Sequence, residues 1–313
     1  MKNRTGLIIA VVGVLSVMIS LPYYSGAYFL SVTMTILLNM TLAVSWDMML
    51  RTGQLSFGIA GFFGIGSYVS IVAVSNFGVN NVVSIFLAAA FVAVIALALA
   101  FAILKLRGIY FAITTLALTM VFSVTIRNMP TLTGGSGGKV LYNTIFNGDT
   151  TKIYWLILTM ALFTILLSIV FEKTRVHYAI SSIRNDEVVA KSSGINVFKY
   201  LTVLFVITAM IQGVAGAIYT QQYGFAYPET AFSLDFLMLP MAMALVGGIY
   251  STWGSVIGSV VLGLVAEYLR LVMPHGSKII YGIIVILIIL FLPKGIYGTL
   301  ESKLRTTRSG ARK

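Results

Sequence analysis

Long apolar stretches almost without charge dominate this sequence and restrict the folds open to it. Residues 82–104 and 153–171, for example, contain no Asp, Glu, Lys or Arg. A helix rises about 1.5 Å per residue, so about 20 apolar residues cross the hydrocarbon core of a bilayer. We therefore predict an all-α, polytopic integral membrane protein with about 8–10 transmembrane helices. The predicted spans are 6–22, 28–46, 57–76, 82–104, 108–126, 153–171, 200–222, 236–250, 255–273 and 277–292.

Composition excludes several other classes of protein. Hydrophobic residues make up 58% of the chain and charged residues 10%, whereas soluble domains carry about 25% charged residues. The net charge of +12 does not indicate a nucleic-acid partner, because the basic residues lie between apolar runs and in the tail 293–313. This placement is typical of loops beside membrane lipid. With no cysteine and two isolated histidines, we predict no metal site and no cofactor.

The distribution of basic residues among the loops predicts the orientation. With the N-terminus inside, most Lys and Arg residues fall on the inner side, as in proteins of the cytoplasmic membrane. We predict a single transmembrane domain over 1–313, N-in and C-in, with a long inner loop at about 172–199 and an inner basic tail at 293–313. The outer loops receive only Arg127, Lys139, Lys152, Arg270 and Lys278.

Some spans are open to a second interpretation. The first span could be a secretory signal peptide cleaved near Ser25–Ala27, although its apolar tract is long for one. The spans 57–76, 236–250 and 255–273 are short or rich in glycine, so one of them could be broken or re-entrant. For the first span, we favour an uncleaved helix over a signal peptide.

The inner loop is the most informative polar segment. We predict a short surface helix near 183–194. Ile183, Val188 or Val189, and Ile195 would line one face, and the charged side chains would lie in solvent. Glu187 and Lys191 are four residues apart and suit a helix surface, and Gly194 would end the helix. Such a helix could dock onto a cytoplasmic partner, or the segment could be an ordinary solvated loop.

This segment resembles the cytoplasmic loop of ABC-importer permeases for branched-chain amino acids, most closely the LivM-type subunit. The resemblance covers about 35–295, although the family often has His at the position of Ile59 and Pro at that of Ser255. It also often has Gly-Arg at His177–Tyr178. The blocks that carry the resemblance are Thr52–Gly58, Phe62–Tyr68, Leu106–Leu116, Leu132–Gly135, Ile183–Glu187, Gly194–Asn196, Gly247–Gly248, Trp253–Gly254, Glu267 with Arg270, and Pro293–Gly295.

The resemblance implies a permease that moves branched-chain or similar small amino acids, driven by ATP hydrolysis on partner chains. The implied partners are a second related permease, two cytoplasmic ATP-binding subunits and an extracytoplasmic solute-binding protein. The chain itself would be no enzyme, since it has no Gly-x-x-x-x-Gly-Lys-Ser/Thr motif. The ATPase-coupling loop would comprise Ile183, Arg184, Asn185, Asp186, Glu187, Ala190 and Gly194.

Polar residues at or within spans are candidates for the translocation path, although each could instead form an interhelical hydrogen bond. They are Gln54, Ser56, Thr114, Thr115 and Gln212. The glycines at 58, 61, 64 and 66 indicate close helix packing more than solute contact. Ionisable residues fall near span ends, which disfavours an ion-coupled secondary transporter. That class, a non-transporting scaffold, and an importer of urea or another small polar solute are the alternatives.

Overall fold

A computed structural model describes residues 16–272, 276–292, 295–299 and 302. Residues 16–24 are helical, and longer helices follow them along the described chain. These are α1 (Ala27–Leu50), α2 (Ile59–Phe77), α3 (Asn81–Ile103), α4 (Ile109–Arg127), α5 (Thr150–Lys173), α6 (Arg175–Asn185), α7 (Glu187–Ser192), α8 (Val197–Tyr223), α9 (Asp235–Gly247), α10 (Thr252–Val272) and α11 (Ser277–Phe291). Shorter segments are helices Pro130–Thr133 and Pro228–Ala231, 3₁₀ turns Gly135–Gly137 and Ile145–Gly148, and strands β1 (Lys139–Val140) and β2 (Phe225–Ala226).

The predicted polytopic α-helical architecture is confirmed. Within the described residues, 8 helical segments are long and apolar enough to cross a membrane, and one of them, Pro228–Gly247, includes a short helix before α9. They correspond to the second through ninth predicted spans. Most of the first predicted span and most of the tail 293–313 lie outside the described residues. The last predicted span is α11, which has 15 residues.

Of the three spans suspected of being broken, only one is interrupted. Helix α2 and helix α10 are continuous. The span around α9 consists of the short helix Pro228–Ala231, a turn at 232–234 and then α9, which contains Pro240. Helix α9 alone has 13 residues, about 20 Å of rise, which is shorter than the hydrocarbon core.

Helix α8 lies at the centre and packs most extensively against α2 and α3. Glycines permit this contact. A Cβ atom at Gly216 would overlap the Phe63 carbonyl, and one at Gly66 would overlap the Gly213 carbonyl. The glycine block of α2 thus serves close backbone packing, as small residues do between membrane helices.

Contacts between loops support the division of the chain into two sides. Strands β1 and β2, both on predicted outer loops, pair in antiparallel register. Asn81 donates from Nδ2 to the Asn143 carbonyl at 2.9 Å, also between predicted outer segments. On the other side, Gln54 Nε2 donates to the Leu106 carbonyl at 3.2 Å, joining two predicted inner loops. Each contact therefore joins segments that the charge distribution assigns to one side.

Candidate functional site

The predicted coupling loop forms two helices where we predicted one. Helix α6 ends at Asn185 and α7 begins at Glu187, because Asp186 adopts an extended conformation with φ −156° and ψ 112°. The Asp186 carboxylate accepts hydrogen bonds from the amides of Val188 at 2.8 Å and Val189 at 3.1 Å. Asp186 is thus an N-cap, which starts a new helix in a new direction.

The end of α7 lies where the sequence predicts it. Gly194 has φ +79°, and the Ile195 amide donates to the Ala190 carbonyl at 3.1 Å. Ala190 and Ile183 are buried in one hydrophobic cluster with Ile195 packed against it, while Asn185 and Gly194 are exposed. Ile183 of α6 and Ala190 of α7 therefore hold the two helices against the body of the protein.

The predicted buried position of Val188 or Val189 is wrong. Val188 is 76% exposed and Val189 is 58% exposed. The break at Asp186 changes the phase of α7 relative to α6, so Ala190 takes the buried position instead. Two adjacent branched apolar side chains thus lie on the surface of the inner loop. We call Val188 and Val189 the apolar tip.

Charged residues of the loop are bound to the body of the protein rather than wholly solvated. Glu187 forms ion pairs with Lys191 at 2.8 Å, as its spacing predicts, and with Arg107 at 2.7 Å. Burial tends to raise the pKa of Glu187, but hydrogen bonds and charges of Lys191 and Arg107 outweigh it and the pKa is lowered. The Arg184 guanidinium lies 4.3 Å from the centre of the Tyr250 ring, a cation–π contact.

A buried charge cluster lies at the inner ends of α1 and α5, and our sequence analysis did not identify it as a site. Arg51 is 1% exposed and Asp47 is fully buried. Arg51 Nη2 lies 2.7 Å from Asp47 Oδ2, and its Nη1 lies 2.9 Å from Glu172 Oε1. The spacing of Asp47 and Arg51 by four residues was the available signal, whereas Glu172 reaches them only through the fold.

The cluster extends to the connection between α9 and α10. The Tyr250 amide donates to Asp47 Oδ1 at 2.6 Å, and Thr252 donates to Glu172 Oε1 from its hydroxyl at 2.7 Å. Since Arg184 lies over the Tyr250 ring, the cluster is continuous with α6. The coupling loop is therefore joined to the ends of three membrane helices.

Three of the predicted path residues come together where α4 meets the segment before α2. Gln54 and Ser56 are buried, and the Phe57 amide donates to the Thr115 hydroxyl at 2.9 Å. Gln54 Oε1 is buried without a hydrogen-bond partner among the described residues. These contacts place polar groups beside the inner half of α4.

The other two predicted path residues lie apart from this group. Thr114 is partly exposed on α4. Gln212, on α8, is buried and donates to Ser45 Oγ on α1 at 3.3 Å. Gln212 is thus an interhelical hydrogen-bonding residue, which was the alternative reading of its sequence position.

A groove on α4 combines apolar walls with a charged end. Its volume is about 250 Å³. Arg127 Nη2 at this end lies 4.0 Å from Glu229 Oε1. The side chains that line the groove are Leu116, Thr119, Met120, Ser123, Val124, Arg127, Phe232 and Leu234.

Comparison with known sequences identifies relatives over most of the chain. Residues 25–290 match a family described as branched-chain amino acid transport system, permease component. The high-affinity branched-chain amino acid transport system permease protein LivM of Salmonella typhimurium is 24% identical over 78% of this chain and 64% of its own length. The corresponding protein LivH of Escherichia coli is 27% identical over 80% of this chain and 87% of its own length. The chain thus spans less than two thirds of that LivM protein.

Proposed function

The chain belongs to the family of branched-chain amino acid transport system permeases, and we propose that it is the membrane-spanning subunit of an ATP-binding cassette importer. It is a multi-pass protein of the cell membrane, with 8 candidate spans among its described residues. The proposed substrates are branched-chain or similar small amino acids. The family match over residues 25–290 is the observation that carries this proposal.

The inner loop supports a role in coupling to ATP hydrolysis. Helices α6 and α7 lie outside the predicted spans, and the exposed apolar tip is a surface that a partner would cover. In the proposed complex, two cytoplasmic ATP-binding subunits supply the energy, and one of them receives this surface in a cleft. A second related permease and an extracytoplasmic solute-binding protein complete the assembly.

The charge cluster of Asp47, Arg51 and Glu172 supports the same role. It joins α6, through Tyr250, to the inner ends of α1, α5 and α10. A displacement of α6 and α7 by a nucleotide-dependent partner would therefore act on those helices directly. Coupling of this kind requires a connected set of contacts between the two sites.

The test is purification of this chain from its native membrane in mild detergent, followed by identification of the proteins that accompany it. We expect a related permease and ATP-binding subunits, and ATP-dependent uptake of L-leucine after reconstitution with a binding protein. Uptake by this chain alone, driven by an ion gradient, would replace the importer with a secondary transporter. Absence of any solute flux in the full complex would favour a scaffold, and uptake of urea instead of leucine would change the substrate.

A further inference from the structure

Helix α4 carries a polar stripe on the face that lines the groove. Thr119, Ser123 and Arg127 follow one another at intervals of four residues, so they lie along one side of the helix, and all three line the groove. The rest of the exposed surface of α4 is mainly apolar, with Ile109, Ile113 and Val121 exposed. Because polar and charged groups are costly in contact with lipid tails, this stripe indicates a face that meets solute, water or protein.

The groove beside the stripe is held open by contacts from other elements. The Phe232 ring forms its opposite wall and stacks on Tyr68, with centroids 6.2 Å apart. A Cβ atom at Gly64 would overlap the Phe232 ring. The position of the Phe232 ring in this wall therefore requires glycine at position 64.

The groove has an apolar part and a charged end. Leu116, Met120 and Phe232 provide apolar surface. At one end, Arg127 lines the groove, and Glu229, which lies beside the groove rather than in its lining, is 4.0 Å from it. Their side-chain exposures are 40% and 86%. An exposed pair of this kind contributes little to stability, so separating the two charges to admit a ligand costs little.

An α-amino acid with an apolar side chain matches this arrangement. It carries a carboxylate and an ammonium group at one end and an apolar group at the other. We propose that this groove binds the transported amino acid as a zwitterion, an inference that rests on the proposed function. Arg127 receives the carboxylate, for which a guanidinium offers two parallel N–H donors. Glu229 receives the ammonium group, and Leu116, Met120 and Phe232 receive the side chain.

A second cavity does not fit the same ligand. It is larger, about 670 Å³, and its lining includes Ile65, Val69, Leu87 and Phe91. No Asp, Glu, Lys or Arg is among the described residues that line it. A zwitterion placed there would lose its hydration without receiving a compensating charge. The groove on α4 is therefore the better candidate for amino acid binding.

The absence of cysteine from this chain permits a direct test with single cysteines. Ser123→Cys places a thiol on the stripe, and Thr125→Cys places one on an exposed part of the same helix outside the groove lining. In the purified complex, the rate of reaction with N-ethylmaleimide is measured on this chain with and without L-leucine. At a leucine concentration of ten times Kd, we expect labelling of Ser123→Cys to slow about tenfold. The rate for Thr125→Cys should not change.

Changes at the charged end identify the groups that bind. Adding Arg127→Gln to Ser123→Cys should abolish the protection, and Arg127→Lys should restore part of it, since a single ammonium group pairs with carboxylate less specifically. Arg270→Gln, which removes a comparable exposed ion pair with Glu267, is the matched control and should leave protection intact. L-Leucinol, which lacks the carboxylate, should not protect.

The outcomes separate this site from the proposed function. A complex that imports leucine while leucine leaves Ser123→Cys unprotected would overturn the site and leave the importer in place. Protection that persists in Arg127→Gln would overturn the assignment of the carboxylate. A wild-type complex that imports no amino acid would overturn the proposed function, and the site with it. Co-purification of Ser123→Cys with the same partner proteins as the wild-type chain, measured first, establishes that the variant is folded.

Discussion

At the scale of single residues, the buried charges at the inner ends of α1 and α5 depend on their ion-pair partners for stability. Arg51 lies between Asp47 and Glu172, and its Nη2 also donates to the Thr252 hydroxyl at 3.2 Å. A buried charge is tolerated only when its partners compensate for lost hydration. Arg51 therefore holds two carboxylates that would otherwise repel each other.

Replacement of Arg51 tests this role. Arg51→Met keeps an unbranched side chain but removes the ion-pair partner of Asp47, and loss of one member of a buried pair costs about 3–5 kcal/mol. We expect a marked fall in the midpoint of thermal unfolding, measured by tryptophan fluorescence on the purified protein. Arg270→Met, which breaks an exposed pair, should lower it slightly. Equal effects would show that the buried cluster does not contribute more than a surface pair.

His177 makes stability depend on pH near the same cluster. Burial and the nearby Arg51 charge lower the pKa of its imidazole below 6.5, with Arg184 lowering it and Glu172 raising it. The folded state therefore binds the proton more weakly than the unfolded state. The corresponding stability is fully present above about pH 6.5 and is lost as the pH falls through the lowered pKa.

A variant isolates this contribution from other groups that titrate. The thermal midpoint of the wild-type protein should fall more between pH 7.5 and pH 5 than that of His177→Gln, whose side chain carries no titratable proton. Both proteins are measured in the same detergent across this range. Parallel curves for the two proteins would exclude His177 as the source of the pH dependence.

At the scale of elements, the crossing of α2 and α8 depends on glycine. The Gly216 Cα faces the Phe63 carbonyl with no room for a Cβ atom. Gly216→Ala must therefore push two central helices apart, and overpacking of this kind costs about 1–3 kcal/mol. We expect a lower thermal midpoint and less monodisperse protein on size-exclusion chromatography.

Gly282 on α11 provides the control for that substitution. A Cβ atom at Gly282 would meet no atom within 4 Å. Ala is favoured over Gly within a helix by about 0.8–1.0 kcal/mol, so Gly282→Ala should be neutral or stabilising. A loss of stability of the same size at both positions would mean that helix conformation, rather than interhelical space, determines the effect at Gly216.

The break between α6 and α7 leads to a prediction about coupling. Val188 is 76% exposed, so Val188→Asp removes an apolar contact with a partner without disturbing the chain itself. In the reconstituted complex, we expect leucine uptake to fall sharply while the amount of chain in the membrane stays unchanged. Val188→Ile, which keeps the apolar surface, should retain uptake.

Charge reversal at Glu187 is a second test of the same surface. Glu187→Lys would repel both Arg107 and Lys191, so it would disturb the seating of α7 as well as its docking. Both variants should uncouple ATP hydrolysis from uptake. Unchanged coupling in Val188→Asp would remove the apolar tip from the proposed interface with the ATP-binding subunit.

At the scale of the whole molecule, orientation in the membrane is open to measurement. Tyr142 on the predicted outer loop is 99% exposed, and Lys105 on a predicted inner loop is also exposed. Single cysteines at these positions are the only thiols of the chain. A membrane-impermeant maleimide should label Tyr142→Cys in spheroplasts and Lys105→Cys only in inverted vesicles. The opposite result would reverse the predicted N-in orientation.

Hydrophobic length in the sequence predicted the course of the second to ninth spans, most of them to within a few residues. Hydrophobic length is a local property, and a backbone in lipid must satisfy its hydrogen bonds within a helix. The pairing of Glu187 with Lys191 and the end of α7 at Gly194 were predictable for the same reason, since each depends on residues within one or two turns. The family resemblance likewise depended on ordered local motifs and is confirmed.

The contacts between residues that are distant in sequence depend on how the helices pack. Glu172 reaches Arg51 because α5 packs beside α1, and Phe232 closes the groove on α4 because Gly64 leaves room for its ring. A single continuous helix would have placed Val188 or Val189 on the buried face. The helix breaks at Asp186 instead, because its side-chain cap competes with helix continuation. Pairing across helices depends on their relative position, which a local pattern of residues does not specify.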